Sequence, residues 1–383
     1  RPAEFQTDTH PQLTRMVCHS IERQGRADMS KSDNTERTTR AVPDDPTTGS
    51  SSERLNELAM SFKKSQALSA ALECDLFSAI AAGAGTPEEV AAKCSIDREV
   101  ADRLMIICKA MDLIADVDGR AVNLDDVERF FVKDKPTFFG DFLRFTIGAE
   151  YDEWLGFAEN IKNASSAPPP SKLYEGDLHD PERARAFTTA GYNSSIALAH
   201  RLAKRFDYSR FTRWLDFAGG SGCYAIAACE RHDGINVIVK DHPNVIPVTR
   251  EFVAQHGLES RIDAEPGDFL KPEDYPNDCD LISFITPLHW YLEDDVMTAL
   301  GYAYDALPSG GGILIVGYML NEERSGPLDP VFYHVQAIRE GHFTGHVPSG
   351  PEYCAYLERA GFVDAEYDWL LANRLGQVFA RKP

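Results

Sequence analysis

Residues 214–224 have the sequence WLDFAGGSGCY, and this stretch decides the fold of the chain. The apolar residues at its start predict a buried strand, the glycines predict a tight turn, and residues 225–231 continue as a helix. Without side chains at Gly219, Gly220 and Gly222, the backbone can approach a ligand closely. The first turn of the helix presents unpaired N–H groups to that ligand. The stretch therefore predicts a site for a nucleotide-like ligand.

The next strand supports the same interpretation. It spans residues 236–240 and ends at Asp241. A carboxylate about 20 residues beyond the glycines is where an α/β fold commonly contacts ribose hydroxyls. A strand, a glycine turn, a helix, a second strand and a terminal carboxylate in series are much more specific than the glycine turn alone.

The chain alternates strands and helices from residue 211 to its end. Strands are predicted at 214–217, 236–240, 261–265, 280–285, 312–318, 365–371 and 377–381. Helices are predicted at 224–231, 245–256, 294–306 and 351–360. This alternation predicts a parallel, doubly wound sheet with right-handed crossovers. Because no helix separates the last two strands, we expect a hairpin there, with one antiparallel strand at the edge of the sheet.

Two further loops follow predicted strands and would open toward the same ligand. Residues 267–270, Gly-Asp-Phe-Leu, place the carboxylate of Asp268 and the ring of Phe269 where they could grip an adenine amino group and its ring. Residues 287–295 contain His289, and imidazole is the side chain best matched to general base chemistry near neutral pH. These loops predict a cofactor cleft with a base at its mouth.

The composition limits the class of protein. The chain has 383 residues, enough for two domains, and has no apolar run long enough to span a membrane. Its 8 cysteines include no C-x-x-C pair, which indicates reduced thiols inside a cell rather than disulfides or a zinc site. The net charge of −21 disfavours nucleic acid and anionic lipid as partners. We therefore expect a cytoplasmic protein that binds neither membranes nor nucleic acid.

Composition and pattern predict three segments. Residues 1–52 are polar and lack periodicity, so we expect a disordered tail. Residues 53–205 are predicted to form a mainly helical domain for dimerisation and for covering the substrate. Residues 206–383 form the predicted cofactor-binding domain. We expect no resident metal.

The helical domain begins with the element order of a winged helix. Apolar residues recur at helical spacing over 55–80, a capping box at 86–89 begins a second helix, and Asp97 opens a third. A hairpin with an Asp-Gly turn follows over 113–124. DNA binding is one interpretation, but the third helix mixes acidic and basic residues and has no basic face. A role in dimerisation or as a scaffold fits this helix better.

Residues 126–205 are predicted to be helical and are interrupted at Pro168-Pro169-Pro170. This segment is rich in aromatic residues. We expect most of them in the core and some of them in the wall of an apolar pocket. The candidate substrate contacts, from this segment and the C-terminal domain, are Trp154, Tyr192, Trp290 and His334.

Together the four loops resemble the class I methyltransferases that use S-adenosylmethionine. More narrowly, they are similar to the small-molecule O-methyltransferases of the caffeate, acetylserotonin and polyketide-tailoring type, and the resemblance covers residues 53–383. It implies a winged-helix dimerisation domain, a homodimer, and a Rossmann-like domain whose seven-stranded doubly wound sheet ends in an antiparallel hairpin. It also implies S-adenosylmethionine as the cofactor and a hydroxyl of a small metabolite as the methyl acceptor.

The resemblance also implies a role for each loop. The residues expected to face the methionine part of the cofactor are Asp216, Gly219, Gly220 and Gly222. Asp241 would hold the ribose hydroxyls, and Asp268 and Phe269 would contact adenine. His289 would be the general base that removes the acceptor proton.

The chain departs from the family pattern around that base. In the plant members an acidic residue ends the fifth strand and a second one precedes the last long helix, and an imidazole needs such a partner to fix its tautomer. The corresponding residues here are Gly317 and Val347. Glu293 or Asp329 could substitute, and we select Glu293 as the second catalytic candidate.

Alternatives stay open. The same fold and cofactor could serve C- or N-methylation, or a cyclisation, elimination or decarboxylation without methyl transfer. A nicotinamide cofactor is disfavoured because Ala218 stands at the first glycine of its fingerprint. His334, His342 and His346 could join His289 in a metal site, although their spacing fits no compact helical motif. A non-catalytic regulator that binds DNA is disfavoured by the acidic composition.

Overall fold

A computed structural model describes residues 52–135, 137–164, 178–339 and 345–383. The chain divides into two units, Arg1–Leu58 and Ala59–Pro383, and the architecture below is that of the second unit. Three features of the sequence interpretation lie outside the described residues. They are the tail over residues 1–51, Pro168-Pro169-Pro170 and His342.

The N-terminal part is helical with one hairpin. Its elements are α1 (Ser52–Glu73), α2 (Leu76–Ala81), α3 (Pro87–Cys94), α4 (Arg98–Ala110), β1 (Ile114–Val117), β2 (Arg120–Asn123), α5 (Asp125–Phe130), α6 (Gly140–Leu155), α7 (Phe157–Asn163) and α8 (Pro181–Arg205). The predicted order of helices and hairpin is confirmed. Thr86 and Glu89 form the predicted capping box, and Asp97 caps α4 by accepting the N–H of Glu99. The periodic segment at 55–80 is two helices, because Asp75 is left-handed (φ 53°) and separates α1 from α2.

The C-terminal part alternates strands and helices as predicted. Its elements are β3 (Arg213–Phe217), α9 (Cys223–Arg231), β4 (Asn236–Asp241), α10 (Ile246–Gln255), β5 (Ile262–Pro266), β6 (Leu281–Ile285), α11 (Glu293–Ala306), β7 (Gly312–Tyr318), α12 (Leu328–His334), α13 (Gln336–Arg339), α14 (Gly350–Arg359), β8 (Val363–Leu371) and β9 (Leu375–Arg381). Every predicted strand and helix of this part is present, with ends that shift by one or two residues. The short helices α12 and α13 were not predicted.

The strands form one seven-stranded sheet in the order β5-β4-β3-β6-β7-β9-β8. The five strands from β5 to β7 are parallel, and β9 pairs antiparallel with both β7 and β8. The expected antiparallel hairpin at the end of the sheet is confirmed, but its antiparallel strand, β9, lies inside the sheet and β8 forms the edge. The reason is burial: Val378 and Ala380 of β9 are fully buried, whereas most of β8 is exposed.

The sheet separates two apolar layers. Trp214 packs with α8 and α9 on one face, and Leu215 and Phe217 pack with α11 and α14 on the other. Asp216, in the same strand, is fully buried although it is polar. Since parallel strands place their ligands beyond their carboxyl ends, this edge of the sheet is where a site is expected. Within the described residues, no helix is long and apolar enough to cross a membrane.

Candidate active site

The glycine turn leaves the sheet at the carboxyl end of β3. Ala218 has left-handed backbone (φ 52°) and donates its N–H to the Lys240 carbonyl at 2.7 Å, which holds the turn against β4. A Cβ on Gly219 would lie 2.7 Å from Asp216 Oδ2 and 2.8 Å from Val239 Cγ1. Only glycine fits this close approach. Helix α9 begins directly after the turn, so its first N–H groups point toward the same space.

Asp241 holds the turn from the end of β4. Its Oδ2 accepts the N–H of Gly220 at 2.8 Å, and its Oδ1 accepts the N–H of His242 at 2.6 Å. Thr249 donates its hydroxyl to the Gly220 carbonyl at 2.6 Å. Burial raises the pKa of Asp241 to about 6, although the two N–H donors work against that shift. Each carboxylate oxygen keeps a second lone pair that a hydroxyl group can use.

Asp216 lies buried beneath the turn. The Ser283 hydroxyl donates to its Oδ1 at 2.5 Å, and Trp214 Nε1 donates to the Ser283 oxygen at 2.8 Å. Its other oxygen, Oδ2, has no hydrogen-bond partner among the described residues. Burial raises the pKa of Asp216 to about 7. A buried acceptor without a donor is costly, so this oxygen is suited to a polar or cationic group of a ligand.

A cleft of about 460 Å³ lies beyond the ends of β3, β4 and β5. Its lining residues include Ala218, Asp241, Pro243, Asp268, Phe269 and Tyr291. The structure therefore brings together three of the predicted cofactor residues, Asp241, Asp268 and Phe269, and the start of the glycine turn. Pro243 and Tyr291 were not predicted, because nothing in their spacing marks them.

Asp274 holds the loop that carries Asp268, and the buried Lys240 lies beside Asp274. Asp274 accepts the N–H of Asp268 at 2.8 Å, and Lys240 Nζ lies 3.5 Å from the other Asp274 oxygen. Only 9% of the Lys240 side chain is exposed. The Phe269 ring packs against Tyr291 at a centroid distance of 4.8 Å. Lys240 and Asp274 were not among the predicted site residues, although a lysine within a buried strand is a signal for an ion pair.

His289 lies in a short turn, Leu288–Trp290, after β6, and only 7% of it is exposed. Its ring meets Tyr318 and Tyr333 nearly at right angles, at centroid distances of 5.3 and 5.2 Å. Neither ring nitrogen has a hydrogen-bond partner within the described part of the chain. Burial lowers the pKa of His289 to about 3, and the Thr286 backbone only partly opposes this shift. The imidazole is therefore neutral at pH 7.

The structure does not bring Glu293 to His289. Glu293 Oε1 pairs with Arg359 Nη1 at 2.5 Å, and its Oε2 accepts the Tyr356 hydroxyl at 3.3 Å. The alternative, Asp329, lies 3.4 Å from Arg374 Nε. Each carboxylate is thus engaged by an arginine, and the orienting role that we expected for Glu293 has no contact to support it.

Gly317 and Val347, which stand at the two positions where acidic residues were expected, provide no polar side chain. A Cβ on Gly317 would meet only the Tyr353 hydroxyl, at 3.6 Å, and Val347 is fully buried. The residue of β7 that contacts His289 is Tyr318, the neighbour of Gly317.

The four candidate substrate contacts lie in different surroundings. Trp154 of α6 packs edge-on against Phe332 of α12 at 5.7 Å, and Trp290 lies beside His289 at 5.3 Å between ring centroids. His334 follows Tyr333 in α12, and its Nδ1 accepts the N–H of Val347 at 3.0 Å.

Tyr192 lies elsewhere. Its ring stacks on Phe252 of α10 at 4.0 Å, and its hydroxyl is 2.7 Å from His256 Nε2. We therefore do not retain Tyr192 as a substrate contact. The aromatic content of its segment could not distinguish this packing between helices from a pocket wall.

Among the described residues, no group of three His, Cys, Asp or Glu side chains is placed to hold a metal ion. His346 Nε2 is 3.1 Å from the Tyr356 hydroxyl, and His334 is bonded to Val347 as described above. These contacts account for two of the histidines that the sequence offered as metal ligands.

Comparison with known proteins decides the family. A sequence profile for the O-methyltransferase domain matches residues 161–363, more than half of the chain. The chain belongs to the O-methyltransferase family. The profile for the O-methyltransferase dimerisation domain matches residues 56–134, and it is consistent with the predicted role of the N-terminal helices.

This O-methyltransferase is similar to several characterised proteins. It is 30% identical to 3-hydroxy-5-methyl-1-naphthoate 3-O-methyltransferase of Streptomyces sahachiroi, over 80% of this chain and 88% of that protein. It is 26% identical to the N,N-dimethyltransferase OxyT of Streptomyces rimosus, over 80% and 90% of the two chains. The structure of human N-acetylserotonin methyltransferase in complex with S-adenosylmethionine matches with a TM-score of 0.77 at 24% identity, over 88% and 99% of the chains.

The enzyme is therefore a methyltransferase that uses S-adenosylmethionine. The cleft has the donor set that this cofactor needs: Asp241 at the end of β4 keeps free lone pairs that hydroxyl groups can use, and Oδ2 of Asp216, buried beneath the glycine turn, has no partner among the described residues. The absence of a Cβ at Gly219 lets the glycine turn pack closely against Asp216 and Val239. These findings exclude the two alternative hypotheses of a nicotinamide cofactor and of a non-catalytic regulator.

Proposed function

We propose that this protein transfers the methyl group of S-adenosylmethionine to a hydroxyl of a small aromatic or polyketide-like metabolite, with His289 as the general base. The observation that carries the proposal is a buried, neutral imidazole whose nitrogens have no partner among the described residues. Aromatic rings surround it, as an aromatic acceptor requires. The naphthoate acceptor of the Streptomyces sahachiroi relative supports the same substrate class.

The cofactor contacts that we propose follow the strand ends. Asp241 holds the ribose hydroxyls through lone pairs that its two N–H donors leave unused. Asp268 and Phe269, in the same cleft, contact the adenine. Asp216 and the glycines of the turn, Gly219, Gly220 and Gly222, face the methionine part.

When bound, the cofactor supplies an electrophilic methyl group on a positively charged sulfur. The side chains around His289 would hold the acceptor oxygen near that methyl group, and the bond from carbon to sulfur would break as the bond from carbon to oxygen forms. Because its pKa is about 3, His289 cannot remove the proton in advance. It accepts the proton as the O–C bond forms and the hydroxyl becomes strongly acidic. Positioning therefore contributes more than basicity.

A screen of hydroxylated aromatic compounds, beginning with hydroxynaphthoates, tests the proposal. The methyl group of the cofactor is isotopically labelled, and an O-methylated product is expected. His289→Ala should lower kcat by about 100-fold or more, since general base catalysis contributes roughly that much. The Kd for S-adenosylhomocysteine should stay within about twofold of wild type by the same reasoning, because His289 does not line the cofactor cleft.

His232→Ala is the matched control, because His232 bonds to the Ala203 carbonyl away from this site. Turnover by His289→Ala equal to that of wild type, with cofactor binding intact, would exclude the role of His289 as base.

N- or C-methylation is the second candidate. It is favoured by the similarity to OxyT and by the absence of a carboxylate on His289 within the described residues. The position of the label, determined by NMR of the product, distinguishes the candidates. A product that contains no label would instead indicate a reaction assisted by the cofactor without methyl transfer.

We also propose a homodimer. The dimerisation profile begins at residue 56, within α1, and three apolar residues at helical spacing are exposed on this helix: Leu55 by 56%, Leu58 by 68% and Phe62 by 49%. A second copy that covers this stripe would bury it. Light scattering should detect a dimer for wild type and for the control Lys64→Glu, and a monomer for Phe62→Glu. A monomeric wild-type protein would exclude the proposal.

A further inference from the structure

The strongest unexplained feature near His289 is a pair of stacked tyrosines. The rings of Tyr318 and Tyr333 lie 3.6 Å apart between centroids and are tilted by only 16°. The His289 ring stands edge-on to both, with interplanar angles of 90° and 81°. One imidazole therefore rests against two parallel phenol rings at once, which restricts its rotation by contact alone.

Both tyrosines are firmly placed. Tyr318 ends β7, and its backbone is paired with Leu375 of β9, which lies inside the sheet. Tyr333 lies on α12, which three other elements hold. Asp329 of this helix pairs with Arg374 of the β8–β9 turn, and His334 accepts the N–H of Val347. Phe332 meets Trp154 of α6.

The titratable groups near the imidazole are either neutral or paired with a group of opposite charge. Burial raises the pKa of Tyr318 and of Tyr333, so both phenols stay neutral. Asp329 is paired with Arg374, and Glu150, which lies near Tyr333, pairs with Arg339 at 2.8 Å. Glu293 is held by Arg359. Among the described residues no ion pair acts on this ring; the two tyrosine rings and the Thr286 backbone do.

We propose that the stacked pair of Tyr318 and Tyr333 positions His289 and so does the work that an acidic partner would otherwise do. This inference rests on the proposed role of His289 as base. The two tyrosines are positioning residues, since they act through the imidazole. The Tyr353 hydroxyl stands beside the room left by Gly317, and Tyr318 supplies the contact from β7.

The pair has a chemical consequence. A carboxylate would raise the proton affinity of the imidazole, whereas two neutral rings exclude water and leave that affinity low. The base then stays unprotonated at pH values above its pKa of about 3. Its contribution depends on where it points, so a loss of the stack should damage catalysis even if His289 remains.

The test compares three variants of the full-length protein bound to S-adenosylhomocysteine. Tyr333→Leu removes the stacked ring, and Tyr333→Phe keeps the ring but removes the hydroxyl. Tyr304→Leu is the control, because Tyr304 makes a similar edge contact with Phe362 at the far end of α11. NMR of ¹⁵N-labelled histidine follows His289, whose signals are assigned by their loss in His289→Gln.

We expect wild type, Tyr333→Phe and Tyr304→Leu to share one sharp, unprotonated His289 signal down to low pH. Tyr333→Leu should admit water, broaden that signal and raise the pKa of His289 toward its ordinary value of 6.5. With an accepted aromatic acceptor, kcat of Tyr333→Leu should fall by about 10- to 100-fold, while KM for the cofactor stays within about twofold.

A second variant tests the inference even if Tyr333→Leu has a folding defect. Arg374→Gln loosens α12 without removing a ring, and we expect an intermediate broadening of the His289 signal. An unchanged His289 signal in both Tyr333→Leu and Arg374→Gln would overturn the inference. Tyr333→Phe as damaging as Tyr333→Leu would also overturn it, since the hydroxyl rather than the stack would then matter. Because the NMR needs no acceptor, a failure of the proposed base in turnover is seen separately.

Discussion

The proposed active site has two halves, a cofactor half around Asp241 and Asp268 and an acceptor half around His289, and different forces hold them. In the cofactor half, backbone N–H groups hold the carboxylates: Gly220 donates to Asp241 at 2.8 Å, and Leu270 donates to Asp268 at 2.9 Å. In the acceptor half, the His289 ring packs against two tyrosine rings, and neither of its nitrogens has a side-chain partner among the described residues. One half is built from polar contacts within and between adjacent loops, and the other is built from rings that come from three separate elements.

The backbone leaves the sheet in the same way in both halves. Ala218 after β3 and Thr286 after β6 are both left-handed, with φ of 52° and 69°. Each donates its N–H at 2.7 Å to a carbonyl of the neighbouring strand, Lys240 or Val316. A shared backbone turn therefore carries opposite side-chain chemistry. The difference suggests that variants of the cofactor half act through binding and polarity, and variants of the acceptor half act through geometry.

The largest effect should come from Asp216, whose pKa is raised from 3.8 to about 7 by burial. Because the folded protein resists ionisation of this group, the stability that protonated Asp216 contributes is lost as pH rises from 4 through 7. Asp216→Asn removes that cost, so its free energy of unfolding relative to wild type should rise by about 4 kcal/mol between pH 4 and pH 8. Urea denaturation of the cofactor-free protein measures this difference.

Asp116→Asn is the control for this experiment, because the Lys109 contact lowers the pKa of Asp116 at the surface and its effect should have the opposite sign. A pH-independent difference between Asp216→Asn and wild type would contradict the description of Asp216 as a buried carboxylate without a second partner.

The next effect in size concerns Gly219. Gly219→Ala places a methyl group 2.7 Å from Asp216 Oδ2, so the turn must move. We expect the Kd for S-adenosylhomocysteine to rise by about 100-fold, which corresponds to about 3 kcal/mol. Calorimetry measures this Kd. Gly234→Ala is the matched control, since a Cβ there meets nothing within 4 Å. Equal affinity for the two variants would show that the turn is not close to the ligand.

A smaller effect is expected at Asp274, which holds the Asp268 loop and lies near Lys240. Asp274→Ala should raise the Kd for S-adenosylhomocysteine about fivefold, because one hydrogen bond that positions the loop contributes about 1 kcal/mol to binding. The neighbouring Glu273→Ala is the control. A change in kcat at saturating cofactor, without a change in Kd, would place Asp274 in the chemistry instead of the cofactor half.

The smallest effect is expected at Glu293. Since its carboxylate pairs with Arg359, Glu293→Gln should leave kcat within about twofold of wild type. Turnover at several pH values measures this, with Asp294→Asn as the control. A loss of kcat comparable to that of His289→Ala would restore Glu293 as a catalytic partner and would remove the contrast between the two halves.

Most of the fold could be predicted because its signals are local. The strand and glycine turn at 214–224, the capping box at Thr86 and the hairpin at Asp118-Gly119 each depend on a few adjacent residues. The position of β9 between β7 and β8 could not be predicted, since it depends on which strand of the hairpin buries more apolar surface. The proposed domain boundary near residue 205 stays a prediction.

The candidate site divides in the same way. Asp241, Asp268 and Phe269 were found from their places at strand ends, and they meet in one cleft because parallel strands end at one edge of the sheet. Lys240 and Asp274 were missed because their contact joins a strand to a later loop. Tyr192 was selected from the composition of its segment, and Glu293 from its proximity to His289 in the sequence. Neither of these signals shows which way a side chain points.

By itself, the sequence determined the doubly wound sheet, S-adenosylmethionine as the cofactor and the place of His289 in the loop after β6. Glycines, strand ends and a terminal carboxylate act over short distances along the chain, so their order is sufficient. Only the tertiary structure decided what surrounds His289: Tyr318 from β7 and Tyr333 from α12, stacked against each other. These contacts depend on how helices pack on a sheet, and no spacing in the sequence encodes that packing.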